Sequence, residues 1–311
     1  MNQEHNVLQE VMILGCGDIG VRVARLVRAR GGLVTAVARS YSSAARLEEF
    51  GLKVVPGNLD DPSALGKLDM TGKLVFYLAA PPGGGPIDSR MRNFCGAIGK
   101  DRVPAKVVYI STSGVYGDCG GEWVTEQTPI NPQTSRAQRR ADAEATLRKW
   151  GKLHGVAVVI LRVTGIYGPG RLPLARVEQG HPILCEAESP PTNRIHADDL
   201  AAVCVKAAET AADGDIFNVS DGQPGTMTQY FNAISDLLGL PRLPQVGMDE
   251  AKQVMNPMML SYLTETRRMD NRKMLEQLGV TLKYPNLEAG LKNVAAQLAD
   301  KNMGYLGSVG H

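Results

Sequence analysis

EVMILGCGDIGVRVARLVRARGG (residues 10–32) is the stretch on which the fold turns. EVMIL is a short apolar run, the mark of a buried strand. GCGDIG (15–20) satisfies G-x-G-x-x-G, and the residues from Asp18 onward set Ile19, Val23, Leu26 and Val27 on one helical face that Gly31–Gly32 brings to an end. The glycine pattern is weak by itself; a strand before it and a helix after it make it informative. In that setting Gly15 permits the tight turn, Gly17 lets main chain come close to a pyrophosphate, and Gly20 lets helix pack on strand. The first amides of the helix, at Asp18 and Ile19, and the helix dipole then favour phosphate charge. A glycine turn that merely packs tightly is the competing explanation.

The same alternation continues outward. LVTAVA (33–38), KVVPG (53–57), KLVFYLAA (73–80), AKVVYIS (105–111) and VAVVILRV (156–163) read as strands, and the segments between them as helices, including a long charged one over 134–153. Strands joined by helices require crossover connections and a parallel sheet covered on both faces. The expected class is therefore α/β: a Rossmann-type doubly wound parallel sheet with a smaller C-terminal α+β substrate lobe. The boundaries are set at 1–168 for the first unit and 169–303 for the lobe, interleaved with it, because regularity fades into Pro- and Gly-rich stretches such as GPGRLP and ESPPTN. Residues 304–311 (GYLGSVGH) are expected to form a disordered tail.

The second strand ends AVARS, without the acidic residue that would accept from both ribose hydroxyls. Arg39 and Ser40 stand there instead. A guanidinium can fork onto a 2′-phosphate, so NADP is the expected cofactor, with NAD possible.

Composition narrows the class. In 311 residues, 43% are apolar and the net charge is +2, which argues against bulk electrostatic binding to nucleic acid or an anionic membrane. Five scattered cysteines without C-x-x-C point to neither a disulfide framework nor a metal site. The polar start and the lack of a long apolar run indicate a cytoplasmic protein.

Several motifs stand in order: GCGDIG, GNLDD (57–61), VFYLAA (75–80), VVYISTSGVYGD (107–118), LRVTGIYGPG (161–170) and RIHADDLA (194–201). Together they resemble the extended short-chain dehydrogenase/reductase superfamily, also called the NAD-dependent epimerase/dehydratase family, over nearly the whole chain. The resemblance implies that Asn58 and Leu59 line the adenine ring and that Ala79 and Ala80 wall the nicotinamide ribose. It makes Thr112 the catalytic hydroxyl. It also implies a small-molecule substrate held between sheet and lobe, and a homodimer paired through long helices.

The chain departs from the family at NPQTSRAQRRADAE (131–144), where the catalytic tyrosine and lysine fall at Arg136 and Arg140; Tyr-x-x-x-Lys occurs nowhere in it. Positions i and i+4 share a helical face. Arg140 can stand in for the lysine as a charge and ribose donor, but a guanidinium cannot exchange a proton near neutral pH. The pair either binds a substrate anion or belongs to a solvated basic face. Tyr116 and Tyr167 are weaker substitutes for the phenol, and His196 suits packing. Asp198–Asp199 suits a helix start, Cys16 inert packing, and Met255–Met259 gap filling. Two functions remain: an NADP-dependent oxidoreductase or epimerase-like enzyme on a small anionic or sugar-like substrate, or a non-catalytic NAD(P)-binding sensor or structural subunit.

Overall fold

The computed structural model describes residues 8–255 and 257–306. Its first half follows the alternation in the sequence: β1 (Glu10–Leu14), α1 (Asp18–Ala29), β2 (Leu33–Ala38), α2 (Tyr41–Glu49), β3 (Lys53–Pro56), α3 (Pro62–Leu65), β4 (Leu74–Tyr77), α4 (Ser89–Ala97) and β5 (Lys106–Thr112). After a 3-10 turn at Ser113–Tyr116 come β6 (Trp123–Val124), α5 (Ser135–His154), β7 (Ala157–Val163) and β8 (Gly165–Tyr167). The Thr134 side chain caps α5 by accepting from the Ala137 amide, and Gly155, at φ 69°, closes it in the left-handed conformation.

The later elements are shorter: α6 (Leu174–Glu178), β9 (Ile183–Leu184), β10 (Pro191–Thr192), β11 (Arg194–His196), α7 (Ala197–Thr210), β12 (Ile216–Val219), β13 (Gly225–Thr226) and α8 (Met227–Leu238). The chain ends with β14 (Gln245–Val246), α9 (Met248–Val254), α10 (Pro257–Thr264), β15 (Arg268–Met269), α11 (Arg272–Leu278) and α12 (Leu287–Leu306). α12 passes the expected boundary at 303, since nothing before Leu306 breaks it and a glycine near a helix end costs little. Residues 307–311 of the expected tail lie outside the described residues.

Seven strands form one parallel sheet in the order β12-β7-β5-β4-β1-β2-β3. The order reverses direction between β1 and β4, and ligands of such sheets bind at the carboxyl ends of the strands at that switch. Strand periodicity divides the core in two. Val11 and Ile13, Val108, and Val159 and Leu161 join the layer under α1 and α7. Met12 and Leu14, Tyr109, and Val158 and Ile160 join the layer under α4 and α5, with Phe94 and Trp150.

The C-terminal half is not set apart from this sheet. α7 packs on α1, and β12 adds a strand beside β7. Around them, two-residue and three-residue pairs stitch later segments to earlier loops: β8 to β11, β10 to β13, β9 to β14 and β6 to β15. The lobe is thus assembled from excursions between and after sheet elements.

Candidate functional site

At the end of β1 the chain turns through Gly15, at φ 83°, and the Gly17 amide donates to the Gly15 carbonyl at 2.8 Å. A Cβ on Gly15 would lie 2.4 Å from the Ala79 nitrogen, so this glycine answers both the backbone angle and the close approach of the chain leaving β4. Gly20 serves packing: a Cβ there would press on Cys16 Sγ at 3.1 Å and Ile13 at 3.3 Å. Gly17 differs, because a Cβ there would meet no protein atom within 4 Å and would project into the groove ahead of α1. Main chain at Gly15 and Gly17 therefore borders a cradle that a side chain would fill, at the N-terminus of the helix that Asp18 and Ile19 begin, which fits a nucleotide pyrophosphate. Burial pushes the Cys16 thiol up to about 11, so it is packing rather than a nucleophile.

The groove, about 480 Å³, runs past the ends of β1 to β4 and is lined by Gly15, Gly17, Arg39, Asn58, Leu59, Ala79 and Ala80. Ser40 instead caps α2, accepting from the Ser43 amide at 3.3 Å, and Ser43 takes the lining position. Two further arginines line it. Arg46 reaches the Cys16 carbonyl at 3.5 Å, and Arg90 grips Asp60 with two bonds of 2.7 Å while donating to the Ala80 carbonyl. Arg39 lies 3.5 Å from Asp60 and is largely exposed. The Arg90 hydrogen bond above all holds the Asp60 carboxyl below its ordinary range. Asp18 sits outside the groove, paired with Arg22 and Arg171.

Arg140 and Arg136 leave α5 on one side but go to different places. Arg140 Nη1 donates to the Ile110 carbonyl at 2.9 Å, the Tyr109 hydroxyl at 3.0 Å and the Ala79 carbonyl at 3.4 Å. Arg136 lines a second cavity, of about 490 Å³, with Thr112. The two do not form a twin clamp: Arg140 is fixed at the seam between the ends of β4 and β5. The Thr112 hydroxyl accepts from the Gly114 amide at 3.2 Å, which leaves its own proton to donate.

A closed polar network lies beneath. Arg162 makes two bonds to Glu144, at 2.8 and 3.2 Å, and Ser111 donates to the same carboxylate. Arg162 also donates to Tyr116, whose hydroxyl donates to Asn218 at 2.7 Å. Tyr116 is therefore a buried strut, and burial raises its pKa. Tyr167 is likewise engaged, with its hydroxyl on the Asn286 carbonyl. His196 is wholly buried against Tyr284, and burial pushes it down to about 4, so the imidazole is neutral. Asp198 and Asp199 open α7, and Asp199 also accepts from the Lys283 and Tyr284 amides.

The second cavity mixes cationic and apolar groups. Arg136, Arg171, Arg176, Arg194 and Arg267 line it together with Met227, Tyr230, Phe231 and Met259, and Glu265 is the one carboxylate among its lining residues. Met259, expected to fill a gap, lines the cavity as well as packing, while Met255 is core. Arg194 lies over the Tyr230 ring at 4.3 Å and Arg176 over Phe231 at 5.5 Å. Burial lowers both guanidinium pKa values, and it pushes Tyr230 up to about 12.

Ala79 of the groove and Thr112 of the cavity stand at the ends of the neighbouring strands β4 and β5, with Arg140 bonded to the Ala79 and Ile110 carbonyls between them. The model of the NAD dependent epimerase/dehydratase family matches residues 11–220, more than half of the chain. The chain belongs to that family. It is 26% identical to Protein YeeZ of Escherichia coli strain K12 over 289 residues, covering 90% of this chain and 97% of that protein. A functionally unknown conserved protein from Silicibacter pomeroyi DSS has the same fold, with a TM-score of 0.79 and 27% identity over 93% of this chain and 99% of that one. UDP-glucose 4-epimerase from Thermotoga maritima, solved with UDP-glucose, superposes with a TM-score of 0.77 at 19% identity, over 94% and 99%. Family membership makes this an NAD(P)-binding chain of the epimerase/dehydratase type.

Within the described residues no helix is long and apolar enough to cross a membrane, and no cluster of three His, Cys, Asp or Glu could hold a metal. The sequence reading missed Arg46, Arg171, Arg176, Tyr230, Glu265 and Arg267. Arg46 had a signal, since it lies on the helix that Ser40 opens. The others come from short elements whose meeting point no local pattern encodes.

Proposed function

We propose that this chain is an NADP-dependent oxidoreductase or epimerase-like enzyme that acts on a small anionic or sugar-like substrate without the family's phenol–ammonium pair. One observation carries this reading: an arginine-lined cavity holding Thr112 lies at the end of β5, beside β4, whose end lines the groove of the glycine turn. Gly15, Gly17 and the amides from Asp18 to Gly20 would hold the pyrophosphate, Asn58 and Leu59 the adenine, and Ala79 and Ala80 the nicotinamide ribose. Arg39 and Arg46, with Ser43 in place of Ser40, would take a 2′-phosphate; Asp60 is already engaged by Arg90. Bound nicotinamide supplies hydride exchange. Thr112 would donate to a substrate oxygen, Arg140 would stiffen the seam beside it, and Arg136 would draw an anion.

Calorimetry on the full chain tests the cofactor half of the proposal. NADPH should bind at least tenfold more tightly than NADH, and Arg46→Ala should weaken NADPH by about 10- to 100-fold while leaving NADH unchanged, as expected for one lost charged hydrogen bond worth ~1.5–3 kcal/mol. Equal affinities would return the preference to NAD, and no affinity for either would end the reading. The absent Tyr-x-x-x-Lys supports a second reading, a sensor or structural subunit that binds NAD(P) without turnover. Turnover of any substrate, lost in Thr112→Ala, would remove it.

A further inference from the structure

We propose that the second cavity recognises a small hydroxylated anion, with Glu265 as the acceptor for its hydroxyl groups and Arg176 and Arg194 as the grip on its charge. This rests on the functional reading above and narrows its substrate.

Glu265 is buried, its side chain only 5% exposed, and it lines the cavity. Its Oε2 lies 3.6 Å from Arg267 Nη2, while Oε1 has no hydrogen-bond partner among the described residues. A buried carboxylate oxygen left without a donor is costly, and a donor arriving in the cavity relieves that cost. The group is held firmly in place. Thr266 gives two bonds of 2.9 Å to Asp118, its carbonyl accepts from the Cys119 amide, and Arg267 donates to the Gly117 carbonyl. The segment is thereby clamped to the turn at Gly117–Cys119, and Thr112 lines the same cavity.

Arg176 and Arg194 present the opposite demand. Arg194 is buried, and neither makes an ion pair among the described residues. Arg176 donates to the Pro182 carbonyl, Arg194 to the Thr226 carbonyl and Met227 Sδ, and each lies over an aromatic face. Arg194, a buried cation with the charge of Asp221 near it but no ion pair, and the half-buried Arg176 both gain from an anion in the cavity. A neutral sugar would leave them unmet; a plain fatty acid would leave Glu265 Oε1 unmet and bring a like charge near it. A ligand with both an anionic group and hydrogen-bond donors answers both demands, and hydroxyl groups supply such donors without a second charge.

The experiment uses the full chain saturated with NADP⁺, whose binding is measured first, so that failure there counts against the functional reading alone. Aldonates of four to six carbons are titrated against unsubstituted fatty acids of equal length, and polyol phosphates against the matching alkyl phosphates. The two arms tell carboxylate from phosphate. At least one hydroxylated anion should bind at least tenfold more tightly than its plain counterpart. Glu265→Gln should weaken that ligand about tenfold and leave the counterpart equal or tighter, whereas Arg194→Met should weaken both. The proposal fails if no hydroxylated anion outbinds its counterpart, a comparison that needs no variant. It also fails if Glu265→Gln, folded by its melting curve, weakens both alike or neither.

Discussion

The groove and the cavity are neighbours of similar size built on opposite principles. The groove is a matter of main chain: three glycines within six residues fix its shape, and its lining comes from the ends of adjacent strands. The cavity is a matter of side chains: its lining is gathered from the end of β5, α5, β8, α6, β11, α8 and the segment around Glu265. A surface made by backbone angle tolerates little change at a few positions. A surface made by charged side chains from distant segments depends instead on the polar network that holds them.

The largest expected effect would come from that network. Arg162→Met leaves Glu144 buried with only Ser111 to satisfy it, and should cost about 3–5 kcal/mol. The double variant Arg162→Met with Glu144→Leu should recover most of the loss, because the uncompensated charge goes with it. Denaturant titration of both chains checks this, and a double variant no better than the single would mean that shape, not charge, holds the cavity floor.

The groove is sharpened by two glycines. Gly15→Ala, at φ 83° and against Ala79, should destabilise the chain by about 3 kcal/mol. Gly17→Val should cost about 1 kcal/mol or less, the scale of a poorer N-cap, yet lower NADPH affinity more than about 100-fold. If instead Gly17→Val unfolds the chain or leaves NADPH binding intact, the groove is not a main-chain cradle.

A smaller effect concerns two buried titratable groups, His196 and Asp221, and depends on pH. Burial pushes His196 down to about 4 from an ordinary 6.5, so the unfolded chain binds the extra proton between those values and stability falls as pH drops through them. Burial pushes Asp221, whose amide bonds to the Arg194 carbonyl, up to about 6. The folded chain then binds the extra proton between about 6 and its ordinary 3.8, and stability rises over nearly the same window. The two contributions oppose one another. Asp221→Asn removes the gain, so its melting temperature should fall about 5 °C further than that of the parent between pH 6.5 and 4. Parallel melting curves for the two chains would show that Asp221 does not titrate as its burial implies.

How much of this was legible in the sequence divides along the same line. Val11, Ile13, Val108 and Leu161 alternate with Met12, Leu14, Val107 and Ile160, so period two betrays a strand covered on both faces. GCGDIG was legible because Gly15 answers its own backbone angle and Gly20 answers Ile13 and Cys16 a few residues away; the fit of Gly15 against Ala79 was not. Arg136 and Arg140 could be placed on one helical face, but not sent to different compartments, since that choice belongs to Ile110 and Tyr109 on another element. Glu265 lies between stretches rich in Pro, Met and Arg, and it gains meaning only from the clamp of its neighbour Thr266 on Asp118, 148 residues from Thr266. The helix through 304–306 was missed because composition suggested a tail where no residue breaks the preceding turn pattern.

The late arrival of β12 bears on how the molecule is made. β7 ends at Val163 and its outer neighbour begins only at Ile216, so on a ribosome adding about 5–20 residues per second that strand's edge stays open for several seconds. Ile160, Leu161 and Val163 are exposed along it until Ile216–Val219 closes the ladder, and an open apolar edge is a template for a second chain. Aggregation during synthesis, rather than loss of the finished fold, is therefore the expected fate of variants that slow or weaken the docking of this last strand.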